Sequence, residues 1–473
     1  MLRASFVPAL PPVPSVSPVP KVEVLHRQVP GCLPGCLAFA AVARCQRVHP
    51  KQRLRRWRRR VAAKDEVIGR FAQWMQSSSI TTSPNLDILP EAAGEGRCVV
   101  CTTDLEKGEV LVRLPAAAAV SVSMDASAPA EPSLAPLEGW WMRHPRSSIR
   151  LAAKLVFQRE TFAPYIEMLY PLEQIYAPWL WPKEDLRFLP PRMVKSALAR
   201  KEALETAYED LESEGLSDRI PRDLFLRAHH AAASRAFAGE GEVPASRTAA
   251  LAVGGLSILA AGSAAAAGVT SVDVAAAAGA AMVAASGVVV ATSQSPNVLS
   301  LLPMIDQVNH RSGAPPDLQF DPTGRVWELR ATRPYKPGEE IVFSYGDKDS
   351  DALLLQHGFV EEDNAADVLQ LAVPEAGTFG LSSEVKAQLE KLSLQELSFD
   401  KLDQLQVPKT SLKEAIQATL RSAAKECKES DDEKVAAKVS SPGIGRVLLC
   451  WRQERRKLLQ LAAEEWQVDL SGG

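Results

Sequence analysis

Two polar clusters close apolar runs in the second half of the chain. Asp306, Asn309 and His310 end the run LLPMIDQVNH, and Tyr345 with Gly346 ends GEEIVFSYG. Each cluster is expected where a buried element reaches a surface. An Asn–His pair could form half of a metal site or serve as a general base. No second His follows at i+4, and no zinc-hydrolase carboxylate–His spacing occurs, so no metal is expected. Cys98 and Cys101 form a CxxC motif inside a β-branched run without a second pair, which suits two packed thiols better than a redox or metal site. Gly94, Glu95 and Gly96 read as a tight turn. There is no Walker loop and no GxGxxG fingerprint. Taken singly, none of these groups assigns a chemistry.

Their order along the chain does. The segments GEGRCVVCTTDLEKGEVLVRLP, SIRLAAKLVFQRETFAPYIEMLY, SRAF, LLPMIDQVNH and GEEIVFSYGDKDSDALLLQHGFVEEDNAAD follow one another between Phe71 and Leu371. In that order the chain resembles the SET-domain methyltransferases, in particular the Rubisco large-subunit methyltransferase-like branch. The resemblance implies an α+β chain: a SET-domain knotted β fold with a helical insert, plus an α-helical C-terminal domain. It implies S-adenosyl-L-methionine as the cofactor and a lysine-bearing, non-histone protein as the substrate. The cofactor would contact Glu95, Arg97, Arg235, Asp306, Asn309, His310 and Tyr345. Tyr345 would also be the catalytic group, and Phe237, Phe343, His357 and Phe359 would bind the substrate side chain. The chemistry suits these types. Methyl transfer from a sulfonium is an in-line displacement that mainly needs alignment. A lysine must first lose its proton, which an apolar channel favours.

The chain departs from the family pattern at four places. Cys98 stands where a second glycine is usual. Asp351 replaces a usual Asn, Leu353 a usual Glu, and His357 a common Tyr. Two alternatives follow: a catalytically silent SET fold that binds protein, and a protein-histidine N-methyltransferase. The Cys-rich zinc segment of histone-type SET enzymes is absent from the sequence.

Several elements must position these groups. Val67, Phe71, Trp74 and Met75 mark a lead-in helix over 62–78. A glycine turn feeds a strand before Cys101, and a second strand spans 110–114. Residues 116–136 read as loop. Residues 147–212 are helical, broken by Pro171, Pro178 and Pro182, with a strong amphipathic helix over 190–211. A further helix spans 224–237. Segments 317–320 and 326–333 read as a hairpin, and 340–344 as a strand. Asp349 or Ser350 caps a short helix over 352–356, which Gly358 ends. From 384 to 466 the pattern is helical, most clearly over 411–425 and 444–465.

Three regions result: a leader (1–62), a SET catalytic domain (63–371), and a helical substrate-binding-like domain (372–473). The catalytic domain carries a helical insert (147–237) and an Ala-rich insertion (244–295). The 473 residues are 46% apolar, enough for a large core. A net charge of −3 gives no pull toward nucleic acid, and none is expected as a partner. Seven scattered cysteines argue for a reducing compartment. The first 60 residues hold twelve Lys/Arg and one acid, Glu23. That composition suits an organelle presequence. Plastid (chloroplast) ranks first on the family argument, then mitochondrion or cytosol. Residues 249–268 and 274–292 approach membrane-spanning length but lack anchoring residues, so a surface insertion is expected and a membrane role is not. A monomer is expected.

Overall fold

Ile68, Phe71 and Met75 recur at helical spacing, and Glu66–Ser77 forms helix α1 with that face buried. The computed structural model describes residues 66–89, 96–125, 128–129, 131–240, 297–372, 396–398, 417 and 420–470. The leader 1–62, Glu95 and the insertion 244–295 lie outside the described residues.

Five short strands follow: β1 (Thr81–Thr82), β2 (Leu86–Leu89), β3 (Cys98–Cys101), β4 (Val110–Pro115) and β5 (Val120–Ser123). In β4, Leu111, Val112 and Leu114 are buried and Arg113 points out. Strand β5 lies where the sequence reads as loop. Its signal is only Val120 and Val122, both buried, which is too short for a period to register.

Helix α2 (Ser147–Phe157) is buried nearly all round, Arg150 and Lys154 included. Their charges are met by β5 and the segment after it. Arg150 donates to the carbonyls of Asp125 (2.9 Å) and Ser123 (3.1 Å), and Lys154 donates to Ser121 O at 2.9 Å and to Glu131. These bonds seat the helix on the sheet edge. Helices α3 (Arg159–Glu167), α4 (Pro191–Ser213) and α5 (Arg222–Arg235) complete the insert. The expected helix 224–237 ends at Arg235, because Ala236 is extended and Phe237 opens strand β6 (Phe237–Glu240).

Strand β7 (Asn297–Leu301) pairs with β5 on one side and β6 on the other. After a turn comes β8 (Asn309–His310), then the expected hairpin β9 (Asp317–Asp321) and β10 (Val326–Arg330). Strand β10 also pairs with β4, placing Glu328 opposite Arg113, to which it is hydrogen-bonded at 2.6 Å. Strand β11 covers only Val342–Phe343 of the expected 340–344. The rest of that segment serves a second partner: Ile341 N–H donates to Val99 O at 2.8 Å, and Glu340 bridges Val100. Strand β11 runs parallel to β8, with Val342 opposite Asn309 and Phe343 opposite His310. A parallel pair needs a crossover, and residues 311–341 supply it.

Helix α6 (Ser350–His357) has the expected cap and stop. Asp349 accepts Ala352 N–H at 2.7 Å, and Gly358 is left-handed with φ +80°. Strand β12 (Gln370–Ala372) pairs with β13 (Glu396–Ser398), the latter a correction to the helical reading of 384–466. Of the expected helix 411–425, positions 417 and 420–425 are described and are helical. The last helix, α7 (Pro442–Glu465), begins near the expected 444. Its residues Ile444, Leu448 and Trp451 join the same buried cluster as Phe71, Leu114 and Leu155. No helix among the described residues is long and apolar enough to cross a membrane.

Asp351, buried on α6, binds the last helix to the catalytic half. It accepts Trp451 Nε1–H at 2.5 Å and pairs with Arg192 of α4. Ser440, just before α7, donates its hydroxyl to Asp185 at 2.5 Å. The Tyr176 ring lies directly against Gly443, where an added Cβ would sit 2.1 Å from it. Gly443→Ala is expected to destabilise the protein by about 1–3 kcal/mol. Urea denaturation followed by tryptophan fluorescence checks this, and an unchanged midpoint would contradict the packing described.

Candidate active site

The Asp306–His310 turn is built from inside. Met304 takes a positive φ of 78°, and a 3-10 turn over Ile305–Gln307 reverses the chain. Asp306 is buried, accepting the Tyr165 hydroxyl and Gln307 Nε2–H, the latter at 2.9 Å. Burial pushes its carboxyl up while Arg235 pulls it down. Its two donors make it a buttress of this turn. Asn309 then ties three segments together: its Nδ2 donates to Arg97 O and to Glu340 Oε1, both at 2.8 Å.

His310 fixes the tyrosine. Its side chain is only 1% exposed, and Nδ1 accepts the Tyr345 backbone N–H at 3.0 Å. An accepting Nδ1 places the ring proton on Nε2, which faces Glu361 Oε2 at 3.2 Å. Burial depresses the His310 pKa despite Glu361, so the ring stays neutral and keeps that acceptor. At its other end Tyr345 donates its hydroxyl to Val308 O at 2.7 Å. Burial raises its pKa, so it remains a phenol. Tyr345 is thus held at its backbone N–H and at its hydroxyl by the segment 308–310.

Aromatic rings surround it. Phe237 lies 5.8 Å from Phe343, and Phe343 lies 5.8 Å from Tyr345. His357 stacks on Tyr345 at 5.1 Å, and Phe359 touches both His357 (5.7 Å) and His310 (5.9 Å). All four residues expected to bind substrate therefore adjoin Tyr345 directly or through one ring. His357 is pushed down to about 3 by burial, helped by Lys348, and its Nε2 is buried without a hydrogen-bond partner among the described residues.

Arg235 ends α5 beside this cluster. Burial works against its charge, but Tyr170, Asp306 and Tyr345 together hold its pKa above the ordinary value. Its Nη1 is buried and has no hydrogen-bond partner among the described residues. A buried guanidinium nitrogen left open favours an anion there. The Arg97 backbone is engaged within the protein: N–H with the Tyr170 hydroxyl at 3.1 Å, and O with Asn309. The carbonyl keeps a second lone pair. Sequence reasoning missed Tyr165, Tyr170, Glu340 and Glu361. Nothing in the local sequence around these residues marks their partners, which the fold brings together from distant segments.

Cys98 and Cys101 sit at i and i+3 of one strand and so point to opposite faces. Cys101 Sγ donates to Lys336 O at 2.6 Å, the packed-thiol arrangement.

Acid should weaken this fold. Burial pushes His229 and His357 down to about 3 and His230 well below its ordinary value. The unfolded chain then binds protons more readily below the ordinary imidazole pKa of about 6.5. Stability is complete above that value and falls as pH drops, by about 1.4 kcal/mol for each such histidine at pH 5.5. Asp306 and Asp367, raised by burial, act in the opposite sense. Urea denaturation at pH 7.5 and 5.5 should show a net loss of about 2 kcal/mol or more. Equal or greater stability at pH 5.5 would contradict neutral burial of the imidazoles.

The family model described as SET domain matches residues 96–346, which span every site residue above from Arg97 to Tyr345. N-lysine methyltransferase SETD6 of Bos taurus is 22% identical over 337 residues, covering 70% of this chain and 65% of that protein. SETD6 of Rattus norvegicus is 23% identical over 335 residues, covering 69% and 61%. The actin-histidine N-methyltransferase of Drosophila melanogaster is 29% identical over 104 residues, 22% of this chain and 19% of that protein. The chain thus spans less than two thirds of the length of these relatives. The crystal structure of the SET domain of LSMT bound to lysine and AdoHcy superposes with a TM-score of 0.53 at 15% identity, covering 85% of this chain and 91% of that one. Rubisco LSMT bound to AdoMet gives 0.52 at 15% identity, covering 85% and 92%. These two share the α+β fold described above. With more than half of its length matched by the family model, the chain belongs to the SET-domain family.

Proposed function

We propose that this chain transfers a methyl group from S-adenosylmethionine to a lysine side chain of a protein. One observation carries the reading: Tyr345, held at both ends, stands in an aromatic wall beside a buried cation with an open nitrogen. The names of the cow and rat relatives support lysine as the acceptor.

The residues fit an amino-acid carboxylate, since Arg235 Nη1 is the open donor. Arg235 would hold that end, Asn309 and His310 the adenosine end through their backbone. When bound, S-adenosylmethionine supplies an electrophilic methyl group on a sulfonium. The protein's own part is alignment and deprotonation. Phe237, Phe343 and Tyr345 surround the acceptor with apolar surface, which disfavours an ammonium and favours the neutral amine. The Tyr345 proton is committed to Val308 O, so its oxygen offers lone pairs to an amine N–H. With its pKa raised by burial, Tyr345 orients the amine and stays protonated itself. The proton leaving the amine goes to solvent.

The acceptor protein is read as non-histone and the enzyme as a monomer that uses no nucleic acid. The sequence lacks the Cys-rich zinc segment of histone-type enzymes, and net charge is near zero. The basic leader supports delivery to the plastid.

Incubating the protein with methyl-labelled S-adenosylmethionine and a plant plastid extract, then mapping the label by mass spectrometry, tests this. Labelled lysine is expected. Label on a histidine ring nitrogen, the acceptor type named for the fly relative, would replace the lysine reading. No label in any protein would favour a silent binding module. Tyr345→Phe should lower kcat by about 100-fold and change cofactor affinity little.

A further inference from the structure

Tyr170 sits at the meeting point of the cofactor-side groups, yet neither motif nor family match singles it out. The Arg235 guanidinium lies over its ring at 4.9 Å from the centroid, and the Arg97 guanidinium at 4.7 Å. Its hydroxyl accepts Arg97 N–H at 3.1 Å. Gly96, at φ +72°, packs so close that an added Cβ would sit 3.3 Å from that hydroxyl. The backbone around Tyr170 is fastened as well. Arg227 of α5 donates Nε to Tyr170 O at 3.1 Å and Nη2 to Leu169 O at 2.8 Å, and Arg97 Nη2 donates to Met168 O. Helix α5 thus carries both Arg227, which fixes the Tyr170 backbone, and Arg235, which rests on the Tyr170 ring.

We infer that Tyr170 is a positioning residue for the cofactor's amino-acid end, locking the Gly96–Arg97 turn and the Arg235 guanidinium into one preset carboxylate receptor. This rests on the S-adenosylmethionine reading above. Two physical effects support it. A guanidinium stacked on an aromatic face loses rotational freedom before a ligand arrives, so binding need not supply that order. The hydroxyl adds a distance constraint: the turn at Gly96 can move away from Arg235 only by breaking its bond to Arg97.

Calorimetry on the full chain tests this with two ligands, S-adenosylhomocysteine and 5′-methylthioadenosine. The second keeps the adenosine part and lacks the amino acid. Wild-type protein that binds neither ligand defeats the cofactor reading itself, and the Tyr170 inference falls with it. With wild-type binding in hand, Tyr170→Phe should weaken S-adenosylhomocysteine about fivefold by loss of one hydrogen bond. Tyr170→Leu, which also removes the stack, should weaken it about 30-fold or more. Methylthioadenosine affinity should stay within about twofold of wild type in both, since its contacts avoid the carboxylate receptor. Equal weakening of both ligands would mean a general structural role and overturn the inference. So would an unchanged affinity for S-adenosylhomocysteine. If the Leu variant does not fold, the Phe variant alone decides.

Discussion

The two-residue parallel pairing of Asn309–His310 with Val342–Phe343 is the constraint on which the site depends. It is a weak element by itself. It holds because both strands are gripped from outside. Asn309 reaches Arg97 O and Glu340, and Ile341 bonds to Val99 on the opposite side. His310 then holds the Tyr345 backbone, and Val308 its hydroxyl. Removing the pairing would separate the tyrosine from the cofactor-side groups at one stroke. A short ladder with many polar braces suits a site that must hold one geometry and exclude alternatives.

Several buried charges are met by carbonyls and polar side chains. Arg150 and Lys154 are met by backbone oxygens at the edge of β5, and Asp351 by Trp451 and Arg192. Arg235 differs. Its neighbours stabilise the charge, and among the described residues its terminal Nη1 stays open, whereas Arg150 has both terminal nitrogens on carbonyls and only Nε without a partner.

Much of this was legible in the sequence. The family resemblance carried by SRAF, NH and YG implied that Arg235, Asn309, His310 and Tyr345 share a site. Helix signals worked where they were local: Pro at the start of α4, the Asp349 cap, the left-handed Gly358. Contacts between distant polar residues were not legible. Glu361 on His310, Tyr165 on Asp306 and Tyr170 under Arg235 leave no period in the chain, because each is fixed by the tertiary fold. The departures from the family pattern also find physical reasons. Cys98 is extended in β3 opposite Leu89, so no glycine is needed there. Asp351 became the anchor for α7, Leu353 is fully buried, and His357 keeps an aromatic ring on Tyr345.

The central claim is that Arg235 and the doubly held Tyr345 belong to one methyl-transfer site. A crystal structure of the protein soaked with S-adenosylhomocysteine tests it most directly. The account predicts the ligand carboxylate on Arg235 Nη1, the sulfur facing Tyr345, and the Tyr345 hydroxyl still on Val308 O. A ligand bound away from Arg235, or a Tyr345 turned out of the aromatic wall, would contradict it.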